Sequence, residues 1–147
     1  MEDRTNWSAM SEAIAERIAR LEAVVVRRLL LAGEKCINEA RMRGSYTDRT
    51  GNLRSSIGYE VVWDGAVVGS GIVRPTLNGA KAADECRAFL SSLATQHKDR
   101  NCLIVVAGKE YAAYVQNKGY DVLWSAETLG RQLMLDLAAK LRKGEAD

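Results

Sequence analysis

From Ser11 onward, apolar side chains return at Ile14, Ile18, Leu21, Val25, Leu29, Ala32, Cys36 and Ala40, in steps of three and four residues. A repeat of that period puts every one of these side chains on a single face of an α-helix, and sustaining it for about seven turns excludes a strand or a loop. The spacing therefore predicts one long helix over about residues 11–43 that lays an apolar stripe on whatever else the chain builds. Ser8 or Ser11 is expected to cap its start, with Glu12 and Glu16 at the positive end of the dipole. Arg41 and Arg43 suit the negative end, Gly44 is expected to stop it, and Gly33 is a point where it could bend or break. Val24, Val26, Leu30 and Leu31 widen the stripe beyond one face, so the helix should lie centrally in the fold or be covered by a partner as well.

Beyond residue 43 the helical period is lost. Residues 44–56 are polar and rich in turn formers, which reads as a loop with one helical turn at its end. Ile57, Tyr59, Val61 and Trp63 then alternate with Gly58, Glu60 and Val62, and Asp64-Gly65 supplies the two-residue turn of a tight hairpin. Its return strand is expected over Ala66–Val73, pairing Trp63 with Ala66, Val61 with Val68, Tyr59 with Ser70 and Ile57 with Ile72, before Pro75 ends the ladder. Ala83, Cys86, Leu90, Leu93 and His97 share a second helical face. Cys102 to Ala107 is apolar without alternation and reads as a strand covered on both faces, inside the sheet. A short helix is expected over Glu110–Asn117, closed by Gly119. The last helix follows a Ser125 cap, with Leu129, Leu133, Leu137 and Leu141 every four residues and Gly144 behind Lys140, Arg142 and Lys143. The fold class is α+β: a small antiparallel sheet, made of the hairpin plus a further strand, packed with a long N-terminal helix, a middle helix and a C-terminal helix. One domain spans 1–147, the helix taking about 11–43 and the α+β body about 50–147; there is no internal repeat.

Several function classes drop out. The apolar runs Leu29–Ala32 and Leu103–Ala107 fall far short of the roughly 20 residues that cross a bilayer. The start Met1-Glu2-Asp3-Arg4 lacks the pattern of a secretory signal, which points to a cytoplasm. Cys36, Cys86 and Cys102 form no Cys-x-x-Cys pair, so reduced and mostly buried thiols are expected rather than disulfides or a zinc knuckle. His97 is the one histidine. At the end of a helical face it reads as a packing or capping residue, and no Gly-x-Ser-x-Gly elbow offers it a nucleophile. Gly69-Ser70-Gly71 lacks the third glycine and the following helix of a phosphate loop, so these glycines read as a bulge or a close backbone approach. Asp84 and Glu85 point about 100° apart on a helix and cannot clamp one ion. No catalytic residue, cofactor or metal ligand is expected, and the chain does not read as an enzyme.

Charge is unevenly placed. Between Arg17 and Arg54 stand nine basic residues (Arg17, Arg20, Arg27, Arg28, Lys35, Arg41, Arg43, Arg49, Arg54) and four acids (Glu22, Glu34, Glu39, Asp48), in a chain whose net charge is only +2. Such asymmetry serves nucleic acid, contact between copies, or simply a solvated helix face. One functional reading is a nucleic-acid-binding domain using Arg41, Arg43, Arg49 and Arg54, with Tyr46 to stack on bases.

Two segments carry a resemblance. Thr50-Gly51-Asn52-Leu53-Arg54-Ser55-Ser56-Ile57, leading into the sheet, and Val106-Ala107-Gly108-Lys109-Glu110-Tyr111-Ala112-Ala113-Tyr114-Val115-Gln116 together resemble the tail-component family of long-tailed bacteriophages, whose members complete tails or join them to heads. With the flanking helices the likeness spans nearly the whole chain, although Gln116 stands where that family usually carries glutamate. It implies a non-catalytic virion protein of the neck, assembled in the cytoplasm of a bacterial host as a ring of its own copies. Its neighbours would be other neck and tail proteins and DNA in the channel, and no membrane. On that reading Thr50, Gly51, Asn52, Leu53, Tyr111 and Val115 are structural: Thr50 caps a turn, Leu53 plugs the core, and Tyr111 and Val115 present a core face. Arg41, Arg43, Arg49, Arg54 and Tyr114 are the residues left to touch neighbouring subunits or DNA.

Overall fold

The apolar stripe winds the first segment into one helix, α1 (Asp3–Arg43), unbroken through Gly33. At 1.5 Å per residue it is about 60 Å long. It begins well before the expected start, so Ser8 and Ser11 lie inside it and do not cap it. The reason is local: no glycine or proline stands between Asp3 and Ser11, and propagation back from an established helix costs only tenths of a kcal/mol per residue. The structure, a computed structural model, describes residues 3–43, 52–72, 79–108, 119 and 121–144. The expected helix over Glu110–Asn117 and the stop at Gly44 lie outside them.

After α1 come the one-turn helix α2 (Asn52–Ser55), strands β1 (Ile57–Trp63) and β2 (Ala66–Ile72), helix α3 (Ala80–Gln96), strand β3 (Cys102–Ala107) and helix α4 (Trp124–Lys143). The architecture is α+β, with an antiparallel sheet in the order β2-β1-β3. On one face Ile57, Tyr59 and Val61 meet Leu29, Cys36, Ile37 and Ala40 of α1 and Ala126 of α4. On the other, Val106 meets Cys86 and Leu90 of α3. Helices on both faces leave β1 buried from Ile57 to Val62. This two-sided burial also corrects the expected place of Cys102–Ala107. β3 is apolar without alternation because α1 stands over one face and α3 over the other, yet it is an edge of the described sheet and β1 takes the centre. Coverage of faces and position in the ladder are independent, and only the first is written in hydropathy.

The hairpin turn is as expected. Asp64 and Gly65 both have positive φ, 50° and 79°, which matches a two-residue turn of the I′ type, and the Asp64 N–H donates to Asn101 Oδ1 at 2.9 Å. The register is not as expected. Trp63 faces Ala66 and Val62 faces Val67, but a bulge then leaves Val68 extra, so Val61 faces Gly69 and Tyr59 faces Gly71. The slip puts the two glycines on the α1 face, where a Cβ at Gly69 would strike Leu30 and one at Gly71 would strike the Tyr59 ring. Two missing side chains let the long helix lie close on the sheet.

A second helix start also departs from expectation. The N-cap position of α4 is Leu123, and Asp121 Oδ1 accepts the Ser125 N–H at 3.2 Å, so Ser125 sits inside the first turn and does not cap it. At the other end Gly144 adopts φ 73° behind Lys140, Arg142 and Lys143, and its N–H donates to Leu141 O at 3.2 Å. His97 is the C-cap of α3, its N–H donating to Leu93 O at 3.1 Å.

Candidate functional site

The described parts of segments 50–57 and 106–116 meet in space. Leu53 is buried beside Val122, with Ala107 and Leu123 packed against them. Ser56 sends both its hydroxyl (2.7 Å) and its N–H (3.1 Å) to Leu53 O, which turns the chain sharply from α2 into β1. Ile57 then pairs with Ala107, and the Gly108 N–H donates to Ser56 O at 2.7 Å. Val106-Ala107-Gly108, which opens the second segment, therefore runs alongside the end of the first. Asn52 opens α2. Thr50, Gly51, Tyr111, Tyr114, Val115 and Arg49 lie outside the described residues.

Three of the proposed contact arginines fall at this same end. Arg41 is half-buried and Arg43 exposed, closing the last turn of α1, and Ala40 just before them shares a core cluster with Ile57, the first residue of β1. Arg54, half-buried, ends α2 immediately before that strand. Arg43 Nε is 3.3 Å from Glu39 Oε1 on the helix surface. An exposed pair of that kind is worth little and leaves Arg43 able to take another anion.

Burial shifts the titratable groups inside the body away from their charged forms. Tyr59 lies in a slot between Gly33 and Gly71 and donates to Glu34 Oε1 at 2.9 Å; burial, then that hydrogen bond, push its phenol up to about 12. Burial raises the Cys36 thiol, whose Sγ lies 3.5 Å from Ala126 O, and carries Cys86 to about 11, so neither is a ready thiolate. Glu60, buried on the α3 side of β1, is raised by desolvation and its Oε2 has no hydrogen-bond partner. With Ser70, Arg87 and Ser91 it lines a cleft of about 380 Å³. The alternation in β1 already placed Glu60 opposite the Tyr59 face, but only α3 crossing that face made the position buried. A larger apolar cleft of about 740 Å³ lies between β3 and α4, lined by Leu103, Val105, Leu123, Met134 and Leu135 with Cys36 at its floor. Among the described residues no three His, Cys, Asp or Glu gather to hold a metal ion, and no described helix is long and apolar enough to cross a membrane.

The most unusual surface is α1 itself. Residues 24–40 are largely covered by the sheet and α4, while residues 6–23 stand exposed beyond them. Trp7, Met10, Ile14, Ile18 and Leu21 are all among the exposed large apolar side chains there. Comparison of the chain with protein-family models, with curated proteins and with solved structures found no match.

Proposed function

We propose that this chain is a structural virion protein that joins the tail of a long-tailed bacteriophage to its head, working as a ring of its own copies and performing no catalysis. What carries the reading is the meeting of the two family-like segments, Ser56 and Ile57 of one against Ala107 and Gly108 of the other, at the end of a sheet overlaid by a long helix. The exposed apolar length of α1 supports it too, because a patch of that extent is ordinarily a contact surface. In such a ring Arg41, Arg43 and Arg54 at the end of the sheet face acidic neighbours or the phosphates of DNA in the channel. The same three arginines favour a second reading, a stand-alone nucleic-acid-binding domain.

The test is electron microscopy of lysates from a phage or induced prophage whose copy of this gene carries a stop codon at Trp63. Filled heads accumulating beside unattached tails are expected. Intact infectious particles at normal yield would end the virion reading. Duplex binding by the purified chain, measured across salt concentrations, separates the second reading: tight, steeply salt-dependent affinity without self-association favours it.

A further inference from the structure

We infer that the overhanging half of α1 is a seam at which copies of this chain pack against each other side by side, parallel and in register. Trp7, Ile14, Leu21 and then Arg28 recur every seven residues, and Ser11, Ile18, Val25 and Ala32 recur every seven between them. That is an a/d heptad pattern, with Trp7, Ile14 and Leu21 at d and Ser11, Ile18 and Val25 at a. It ends where the body takes over: Arg28 occupies the next d position, and Leu29 beside it is already buried against the sheet. The seam side chains Trp7, Ile14, Ile18 and Leu21 are between 46% and 66% exposed. Together with Met10 they present a patch on the order of 500 Å² per copy, at the upper end of what a monomer leaves uncovered. Two copies covering each other's patches would bury about 1,000 Å², the threshold for a specific interface.

Charge selects the partner and its direction. Arg17 falls at g and Glu22 at e, five residues apart, which is the separation at which g of one helix meets e of a parallel partner. Each parallel pair thus gains two Arg17–Glu22 contacts across the seam. Reversing the partner would keep an apolar seam, Trp7 on Val25 and Ile14 on Ile18, but would set Arg17 against Arg17. The exposed stretch carries Glu12, Glu16 and Glu22 against Arg17 and Arg20, one more acid than base, which disfavours an anionic membrane as its occupant. Helices packed parallel and in register are related by a rotation axis running along them, as subunits of a ring are. The inference deepens the ring reading in that sense, and its test does not depend on it.

The experiment uses the full chain in sedimentation equilibrium across a concentration series from low micromolar upward. Reversible self-association is expected. Ile14→Glu with Ile18→Glu, at positions about half exposed in the single copy, should keep the circular dichroism of the fold and weaken association at least about a hundredfold. Arg17→Glu alone and Glu22→Arg alone should each weaken it roughly threefold to tenfold, and the two together should restore it. Ser11→Cys should form a disulfide between copies on mild oxidation that the parent protein does not form, because a parallel seam sets residue 11 against its own copy. A chain that stays monomeric throughout, or associates undiminished with Ile14→Glu and Ile18→Glu, overturns the inference. Association that neither links at residue 11 nor recovers in the charge swap overturns the parallel arrangement, as does a monomer that binds lipid vesicles through this face. A seam that passes these tests in a protein dispensable for phage particles would stand while the virion role fell.

Discussion

Glycine inside a helix is normally a weakness, and replacing it with alanine stabilises an exposed helix by about 1 kcal/mol. Gly33 of α1 should do the opposite. A methyl group there would overlap the Tyr59 ring at Cγ, Cδ2 and Cε2. The ring has no retreat: Gly71 lies against its Cε1 edge, and its hydroxyl is tied to Glu34 Oε1 at 2.9 Å. Overpacking a filled site costs about 1–3 kcal/mol, and displacing the ring far enough to lose the Glu34 hydrogen bond adds about 1 kcal/mol. Set against the helix-propensity gain, Gly33→Ala should destabilise the protein by about 1–3 kcal/mol and lower its Tm by roughly 3–10 °C. Urea unfolding followed by far-ultraviolet circular dichroism, at matched protein concentration because association shifts stability, measures it. The same substitution in a Tyr59→Ala background should lose its cost and approach the ordinary gain, since Cγ, Cδ2 and Cε2, the atoms it strikes, are gone. A Gly33→Ala protein as stable as the parent would refute the argument that this glycine exists to seat the Tyr59 ring.

The buried titratable groups set three further outcomes. Tyr59 has a phenol raised in the folded state to about 12 against about 10 unfolded, so its contribution is complete below about pH 10 and is lost as pH rises through 12; Tyr59→Phe should remove a tyrosine step near pH 12 from an ultraviolet titration and flatten that alkaline loss. Glu60 is also raised by burial, with Arg87 of α3 lining the same cleft, so its carboxylate costs stability at pH values above its raised folded pKa; Glu60→Gln should stabilise near neutral pH by an amount that shrinks as pH falls through that raised value and is gone below about 4, and a Gln variant less stable near neutral pH would show that Arg87 compensates the charge. Of the three free cysteines, Cys36 and Cys86 are buried and Cys102 is half-buried, so a thiol reagent near pH 8 should modify Cys102 fastest in the native protein and all three only on unfolding; equal native rates would contradict this packing.

Much of the architecture was legible because it rests on period. The three-and-four spacing of Ile14 through Ala40 named α1, and the alternation from Ile57 with Asp64-Gly65 behind it named the hairpin and its turn. The same spacing included Ile14, Ile18 and Leu21, which the body leaves exposed, but it began at Ser11 and left Trp7 and Met10 out. Leu53 was legible as a core residue from its place in a short motif. The register of β2 was not, because hydropathy cannot count one extra residue when Val67, Val68 and the flanking glycines satisfy either pairing.

What the sequence by itself determined is local: which segments are helix or strand, where the tight turn falls, and which face of each element is apolar, since these come from backbone sterics and side-chain spacing within a few residues. Only the tertiary structure decided what met those faces. It set β1 rather than β3 at the centre of the sheet, and it seated Tyr59 between glycines 33 and 71, far apart in the chain. It buried Glu60 under α3 and covered one half of an apolar helix while leaving the other half bare. Each of these depends on contacts between distant segments, whose energies are set by shape and by the exclusion of water at the point of meeting, and no window of neighbouring residues contains that information.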